Sequence, residues 1–418
     1  MQTAPKRHRF FYGWTVVATS FLIAVFAWGL GFYGPSVFVN QLVRTHGWPV
    51  SAVSGAITFH FLFGAGLVIG LADAYRRFGV VPVTRLGIVA FGLGVVGFAH
   101  ASEIWHLYVA ALFTATGWAT LSGAAINTFI SPWFERRRAV ALSHAFNGAS
   151  IGGVAFTPLW TYLIEAFGFA SAAIIVAVGG LAILWPLAGS VLRRTPAELG
   201  QRPDDAAETS AVADTHAPAA PPRTRAGLLA DRRFTSLSIA YAIGIFAQMG
   251  LITHLIVRLT PDVGAERAAW ALSVATCCAI VGRLLLGWLI GEQRRRAAGA
   301  VNFLVQAAGV VLLIVGHDDA MLFGGVVLFG LGIGNLLSLP PLILQSEQRA
   351  IDVGRALALL TAINQVVFAF GPGAFGLLRD ATGSYSVPFI MAAMLQVVSA
   401  LIVLRGGRTE LAAEAAPR

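Results

Sequence analysis

Charged residues are scarce in this chain of 418 residues, where Asp, Glu, Lys and Arg together make up 12% of the sequence. Soluble proteins carry about a quarter. Such a low fraction excludes a molecule whose surface is covered mainly by water. Apolar residues make up 57%, and the mean hydropathy is +0.74. The composition therefore indicates a protein that is covered mainly by lipid.

Cysteine is nearly absent, and two signatures of common catalytic sites are missing. The two cysteines, Cys277 and Cys278, are adjacent, so they cannot form a disulfide between distant elements. No Cys or His cluster at ligand spacing surrounds them, so we predict no metal site. The chain has no His-Glu-x-x-His motif and no Gly-x-x-x-x-Gly-Lys phosphate loop. We therefore predict no enzyme activity and no cofactor.

Long apolar runs dominate what is present. A helix needs about 20 mostly apolar residues to cross the hydrocarbon core of a bilayer. The runs do not alternate as strands do, so they indicate an all-α membrane protein. Breaks in hydropathy predict twelve transmembrane helices, near residues 11–43, 51–73, 79–100, 104–131, 137–165, 169–192, 233–260, 266–292, 296–317, 319–346, 352–380 and 384–405.

The positive charges are distributed unevenly between the predicted loops. With both termini placed in the cytoplasm, the cytoplasmic segments hold 23 of the 29 Lys and Arg residues. That bias is the positive-inside rule, and it explains the net charge of +9 without nucleic acid as a partner. Abundant Ala, Arg and Gly with a single lysine is typical of a GC-rich bacterial genome. We therefore expect a multi-pass protein of the inner membrane.

The predicted helices fall into two similar halves. Residues 202–225 are rich in Pro, Ala, Asp and Thr, which predicts a flexible cytoplasmic linker over 193–231 between a six-helix half at 1–192 and another at 232–418. Between the halves, the decapeptide at 138–147 can be laid over 355–364, Glu165-Ala-Phe-Gly over Asp380-Ala-Thr-Gly, and Asp73-x-x-Arg-Arg over Glu292-x-x-Arg-Arg. Duplicated halves are a transporter architecture that binds substrate near the midplane.

Four motifs carry a family resemblance: Tyr12-Gly13-Trp14, Trp133-Phe134 before three arginines, Gly282-Arg283-Leu-Leu-Leu-Gly287, and Gly371-Pro372 followed by Asp380 and Thr382-Gly-Ser-Tyr385. In this order they resemble the major facilitator superfamily, and within it the monocarboxylate transporter and oxalate/formate antiporter group. The resemblance implies two pseudo-symmetric halves and alternating access. We expect a monomer. Two positions depart from the animal monocarboxylate transporters: Tyr33 is nearest to their first-span lysine, and Ala279 replaces the acid one turn before their eighth-span arginine.

Arg283 is the strongest candidate for substrate binding. It lies near the membrane midplane, where an unpaired arginine costs about 3 kcal/mol or more. No acid lies one helical turn away on either side. A guanidinium matches a carboxylate in bidentate geometry, so Arg283 is predicted to bind the carboxylate of the substrate. The alternative is an arginine that is bonded to carbonyl groups or to a neighbouring helix.

Other polar side chains at membrane depth could line a cavity or tie helices together. As further substrate-binding candidates we select Tyr33, Asn127, His144, Asn147, Gln248, Asn335 and Asn364. Proton coupling needs a group that titrates near neutral pH, and histidine is the natural choice. The candidates are His60, His144 and His254, with purely structural roles as the alternative.

Charges in the loops suggest a gate. Asp73, Arg76, Arg77, Arg137, Arg138 and Glu292 resemble the intracellular latch that the superfamily uses to hold its outward-open state. Asp73 could instead cap a neighbouring helix end, and the arginines could serve topology alone.

The leading prediction for function is secondary active transport of a small organic anion by alternating access. The substrate would be a monocarboxylate such as lactate or pyruvate, coupled to a proton. An anion exchanger of the oxalate/formate type, which would take a counter-anion instead of a proton, and an efflux transporter of larger amphipathic compounds are the alternatives. A sensor is disfavoured because the linker is too poor in apolar residues to fold as a soluble domain.

Overall fold

The computed structural model describes residues 11–205, 223–289 and 295–406. Eleven helices in these ranges are long and apolar enough to cross a membrane. One of them, Arg138–Ser190, has 53 residues and at 1.5 Å per residue would be about 80 Å long. Its backbone breaks at Gly168, where φ is +78°, so it contains two spans. The prediction of an all-α protein with twelve spans is confirmed.

The first half contains spans 1 to 6. Span 1 is an α-helix, a π-helical turn and a second α-helix, and span 4 is broken at Ser122. The bounds, in order, are Gly13–Trp28, Gly29–Tyr33 and Gly34–His46 for span 1, Val50–Phe78 for span 2, Val80–Ala99 for span 3, Ile104–Leu121 and Gly123–Ile130 for span 4, and Arg138–Ser190 for spans 5 and 6.

The second half contains spans 7 to 12, and spans 10 and 11 are interrupted. The bounds are Arg232–Val263 for span 7, Ala265–Leu289 for span 8, Arg295–Val315 for span 9, Asp319–Ile333 and Asn335–Glu347 for span 10, Ala350–Ala369 and Gly371–Thr382 for span 11, and Ser386–Arg405 for span 12. The break in span 11 falls at Gly371-Pro372, because proline has no N–H to continue the helical ladder.

Both ends of the predicted linker segment are held against the protein. Short 3₁₀ turns, Ala197–Leu199 and Pro203–Asp205, follow span 6, and the helix Arg225–Ala230 precedes span 7. The Asp204 carboxylate accepts hydrogen bonds from the N–H groups of Glu135, Arg136 and Arg137, at 2.5–3.1 Å. The N–H of Arg223 donates to Asp352 at 2.7 Å. We call these two sets of hydrogen bonds the anchors of the linker. Composition could not predict them, because each depends on one carboxylate that accepts hydrogen bonds from backbone N–H groups distant in the sequence.

The two faces of the membrane domain differ in how tightly the halves meet. We call the face that carries residues 11, 205, 223 and 406 the linker face, and the opposite one the distal face. Near the distal face, spans 2 and 11 touch: the Gly373 N–H donates to Thr58 Oγ1 at 2.9 Å. Ile69 is eleven residues further along span 2 on nearly the same side of the helix, and it is 85% exposed. Thr361 and Ala362 on span 11 are likewise exposed. The cleft between the halves therefore opens to the linker face.

Close approach of the helices in the second half depends on glycine. A Cβ atom at Gly282 in span 8 would lie 1.9 Å from the backbone oxygen of Leu331 in span 10. A Cβ atom at Gly354 in span 11 would meet nothing within 4 Å. The glycine of the Gly282-Arg283 motif thus sets the distance between spans 8 and 10.

We expect Gly282→Ala to lower the free energy of unfolding by about 1–3 kcal/mol, because backbone must move to admit the methyl group. Gly354→Ala is the matched control and should leave stability unchanged or raise it, since alanine favours helices. Thermal unfolding of the two purified variants beside wild type measures both effects. Equal melting temperatures for all three proteins would contradict the packing argument.

A second prediction concerns the anchor at Asp204. Burial would raise the pKa of its carboxyl, but the N–H groups of Arg136, Arg137 and Glu135 and the charge of Arg137 lower the pKa below its ordinary value. A lowered pKa means that the anchor stabilises the folded state at neutral pH and is lost as pH falls through that lowered value, below about 4.

Asp204→Ala should therefore release this end of the linker at pH 7, where wild type holds it. Limited trypsin digestion should then cut faster at Arg202 in the variant. Glu135→Ala is the control, because Glu135 contributes only its backbone N–H. Equal cleavage rates in wild type and Asp204→Ala would show that the carboxylate does not hold the segment.

Candidate functional site

Arg283 lies where the two halves meet. Its side chain leaves span 8 and reaches span 5 of the other half, where Nη2 donates to Ser150 Oγ at 2.5 Å. The residue is half-buried. None of the ion pairs among the described residues includes Arg283. Its charge is therefore met by a neutral hydroxyl, and an anion can still approach it.

Tyr33 completes this corner from span 1. It is buried at the end of the π-helical turn, and its phenol lies within electrostatic range of the Arg283 guanidinium. A Cβ atom at Gly153 would lie 2.7 Å from the Tyr33 ring and 2.6 Å from Thr276 of span 8. Glycine at this position lets spans 1, 5 and 8 converge. Two of the predicted substrate-binding residues, Arg283 and Tyr33, are thus brought close together.

Span 10 forms another wall of the site at its break. A Cβ atom at Gly334 would lie 2.8 Å from Arg283 Nε and 2.6 Å from the Ala279 oxygen. The guanidinium stem rests against this glycine. Residues Ser150, Gly153 and Gly334 were not predicted from the sequence. Small residues are common in membrane helices, so their presence alone does not indicate a site beside Arg283.

Ser150 occurs in the sequence Gly148-Ala-Ser150-Ile-Gly152, which has the spacing of a hydrolase nucleophile motif. The motif requires a sharp strand-to-helix turn, and here the segment lies inside the helix of span 5. Its glycines serve packing instead: Cβ atoms at Gly148 and Gly152 would lie 2.2 and 2.4 Å from the carbonyl oxygens of Phe21 and Val25. The serine binds Arg283 rather than a general base.

Asn147 and His144 lie about one and two turns before Ser150 in span 5, closer to the linker face. Both are exposed, and the His144 ring packs edge-on against Trp14 at 5.9 Å. That these two side chains line the cleft stays a prediction.

No hydrogen bond among the described residues joins the remaining amide candidates to the Arg283 side chain. Asn127 is exposed near the linker face, and its Oδ1 accepts from Arg138 Nη2 at 2.8 Å. Asn335 is buried, and its Nδ2 donates to Asn302 Oδ1 at 2.9 Å, which ties span 10 to span 9. Gln248 and Asn364 are also buried, and their side-chain oxygens have no hydrogen-bond partner among the described residues. For Asn335 the geometry favours a helix tie.

The buried histidines differ in how completely they are bonded. In His254, Nε2 lies 2.9 Å from the Pro372 oxygen and Nδ1 lies 3.3 Å from the Tyr385 hydroxyl, so a neutral ring satisfies both contacts. In His60, Nδ1 lies 2.8 Å from Thr114 Oγ1, while the buried Nε2 has no partner in the part of the chain that the structure describes. His60 therefore keeps one ring nitrogen without a hydrogen-bond partner among the described residues.

The predicted latch charges are exposed at the linker face. Arg76 Nη2 donates to Asp73 Oδ1 at 2.5 Å, and their side chains are 80% and 73% exposed. Arg77 and Arg137 are exposed as well, and Arg138 binds Asn127. Glu292 lies outside the described residues. With the linker face open, these charges contact their own half.

Comparison with known proteins now adds to the geometry. The family model of the Major Facilitator Superfamily matches residues 19–352. The chain belongs to the Major Facilitator Superfamily. Its similarity to proteins of that superfamily makes it a membrane transporter and not an enzyme.

Curated relatives place the chain within this superfamily. It is 27% identical to monocarboxylate transporter 11 of Homo sapiens, over 94% of this chain and 82% of that protein. It is 25% identical to monocarboxylate transporter 13 of Bos taurus, over 91% of this chain and 86% of that protein. Monocarboxylate transporter 4 of Mus musculus is also 25% identical, over 94% and 83%. The predicted resemblance to monocarboxylate transporters is confirmed.

Solved structures agree on the fold. The inward-facing, occupied structure of a bacterial homologue of the lysosomal transporter Spinster superposes with a TM-score of 0.73 over 100% of both chains, at 15% identity. A point mutant of the nucleoside transporter NupG superposes with a TM-score of 0.73 over 94% of this chain and 100% of that one, at 11% identity. At such identities the similarity concerns the fold alone.

The sequence analysis did not predict one charge pair, between a buried arginine and a half-buried glutamate. Arg296 in span 9 binds Glu347 at the end of span 10 through two hydrogen bonds, of 2.5 and 2.7 Å. It also donates to the backbone oxygens of Arg233 and Val403, so it joins spans 7, 9, 10 and 12. In the repeat alignment Arg296 corresponds to the exposed Arg77. The same arginine thus stabilises one half and remains free of such a network in the other.

Proposed function

We propose that this protein is a secondary active transporter of small monocarboxylates such as lactate or pyruvate. The observation that carries the proposal is Arg283, a cation at membrane depth between the halves whose one hydrogen bond among the described residues goes to a hydroxyl. A charge at that depth is expensive unless a counter-ion or water compensates for it. A substrate carboxylate supplies the counter-ion, and the bidentate fork of arginine suits its two oxygens.

The contact with Ser150 supports alternating access at this position. Arg283 belongs to one half and Ser150 to the other, so a ligand that takes over the guanidinium changes an interaction between the halves. Transporters of this architecture work by rocking the halves around a fixed midplane site. The curated relatives are named monocarboxylate transporters, which agrees with a carboxylate at Arg283.

We further propose proton coupling through His60, with His144 on the access path. His60 is the buried histidine with a free ring nitrogen, and it lies at the repeat position of Ala279, one turn before Arg283. His254 fits a structural role, because both its ring nitrogens are bonded. The excess of arginine on the linker face favours a cytoplasmic linker and cytoplasmic termini. We also propose that the protein is a monomer of the inner membrane.

The test is uptake of labelled lactate, pyruvate, formate and oxalate into proteoliposomes. Arg283→Gln should lower uptake at subsaturating substrate by about ten- to a hundred-fold, since hydrogen bonds to a charged group are worth about 1.5–3 kcal/mol. Arg85→Gln is the matched control: Arg85 also lies in a span, but its guanidinium covers the Trp185 ring at 4.5 Å. Uptake by a folded Arg283→Gln protein at the wild-type rate would end the carboxylate proposal.

The same vesicles test the coupling. An inward proton gradient should drive accumulation in wild type and in His254→Gln, once the latter is corrected for folded protein. In His60→Gln, the gradient should no longer drive accumulation, while downhill uptake persists. Uptake only into vesicles that are preloaded with another anion would make the protein an exchanger instead.

A further inference from the structure

The start of span 2 lacks a cap of its own. The residue before the helix is Pro49, which has no side-chain oxygen and makes no capping hydrogen bond. The first four N–H groups of a helix have no partner within it, and near a membrane face each needs one. The N–H of Ser51 is one of these. Its partner is found in the other half of the protein.

Asp380 at the end of span 11 supplies that partner. Its Oδ2 accepts a hydrogen bond from the Ser51 N–H at 2.7 Å. A carboxylate at a helix N-terminus also interacts favourably with the helix dipole. The nearest cation is its neighbour Arg379, whose Nη1 lies 3.9 Å from Asp380 Oδ1, which is outside hydrogen-bond range. The hydrogen bond from the Ser51 N–H is therefore shorter than the contact between Asp380 and Arg379.

Two further contacts lie in line with this one, and together they form what we call the distal seam: Ser51, Ser54 and Thr58 of span 2 against Asp380, Gly376 and Gly373 of span 11. A Cβ atom at Gly376 would lie 2.0 Å from Ser54 Oγ. The Gly373 N–H, free because span 11 restarts at Gly371, donates to Thr58 Oγ1 at 2.9 Å. Each helix thus satisfies an unpaired N–H of the other.

The repeat shows that this arrangement is particular to one side. Glu165 at the end of span 5 corresponds to Asp380 in the duplicated halves. It is exposed and has no hydrogen bond or ion pair among the described residues. An acid at this position of the repeat is therefore not sufficient to cap a helix of the other half. Asp380 differs from Glu165 because its carboxylate contacts span 2.

We propose that Asp380 is a gating residue: its carboxylate caps span 2 from the opposite half and so holds the distal side of the cleft closed. When the distal side opens, spans 2 and 11 separate and the Ser51 N–H loses this partner. The cap therefore favours the state that is open to the linker face. The proposal depends on the fold and on alternating access but not on the identity of the substrate.

The experiment measures opening by thiol labelling, in nanodiscs, with a charged maleimide. In a Cys277→Ala/Cys278→Ala background, Ser54→Cys reports on the distal seam, where Ser54 is fully buried. Ile69→Cys in a separate protein reports on the linker side of the same helix, where the side chain is 85% exposed. Asp380→Ala, Asp380→Asn and Glu165→Ala are added to each reporter.

Loss of the cap should shift the equilibrium by about two- to thirty-fold, the range for removing an N-cap acceptor. In Asp380→Ala, labelling at position 54 should accelerate by that factor, and labelling at position 69 should slow. A misfolded protein would accelerate both. Asp380→Asn should label like wild type, because asparagine caps helices as well as aspartate. Glu165→Ala should also match wild type.

Two results would overturn the proposal. One is unchanged labelling at both positions in a folded Asp380→Ala protein. The other is an Asp380→Asn variant that behaves like Asp380→Ala, since the negative charge rather than the cap would then hold the seam. Neither result depends on whether lactate or any other carboxylate is transported, so this test and the uptake test fail separately.

Discussion

The arrangement of the two halves around the cleft depends on the free-energy cost of placing an arginine at membrane depth. Arg283 cannot lose its proton, and no carboxylate of the described chain pairs with it. It is tolerated because it lies between the halves, beside Ser150 and in a cleft that opens to the linker face. Gly153 and Gly334 give it room, and the π-helical turn brings Tyr33 to the same corner. Such a site suits an anion, and its hydrogen bond between Arg283 and Ser150 changes whenever the halves move relative to each other.

On the closed, distal side of the cleft, uncharged polar groups also need partners within the protein. Free N–H groups arise wherever a helix begins within the membrane domain, and lipid offers them no partner. Span 2 begins after a proline, and span 11 restarts after Phe370, so each exposes such a group toward the other half. Asp380 and Thr58 satisfy these groups across the interface. Among the described residues, backbone N–H groups thus join the two halves on the distal face and not on the linker face.

Much of this fold could be predicted because hydropathy, arginine bias and the Gly371-Pro372 break act locally along the chain. Arg283 could be selected because a lone charge within a span requires an explanation. Its partner could not, because Ser150 is one of many small polar residues, and only tertiary structure brings span 5 to span 8. The partners of the amide side chains could not be predicted either. Asn335 bonds to Asn302 and Asn127 bonds to Arg138, but nothing in the sequence distinguishes these amides from one another. Glu347 lies near a helix end, where acids are common, so its ion pair with Arg296 could not be predicted from the sequence.

The most direct test of this account is the distance across the open end of the cleft, measured by spin labels at Ile69 of span 2 and Ile351 of span 11 in the cysteine-free protein. Both side chains are exposed at the linker side of the seam. A transported monocarboxylate should shift the population toward shorter distances, because its binding at Arg283 draws the halves together. The same addition should leave Arg283→Gln unchanged. A distance distribution that ignores every carboxylate, or that shortens equally in Arg283→Gln, would contradict the claim that Arg283 couples anion binding to movement of the halves.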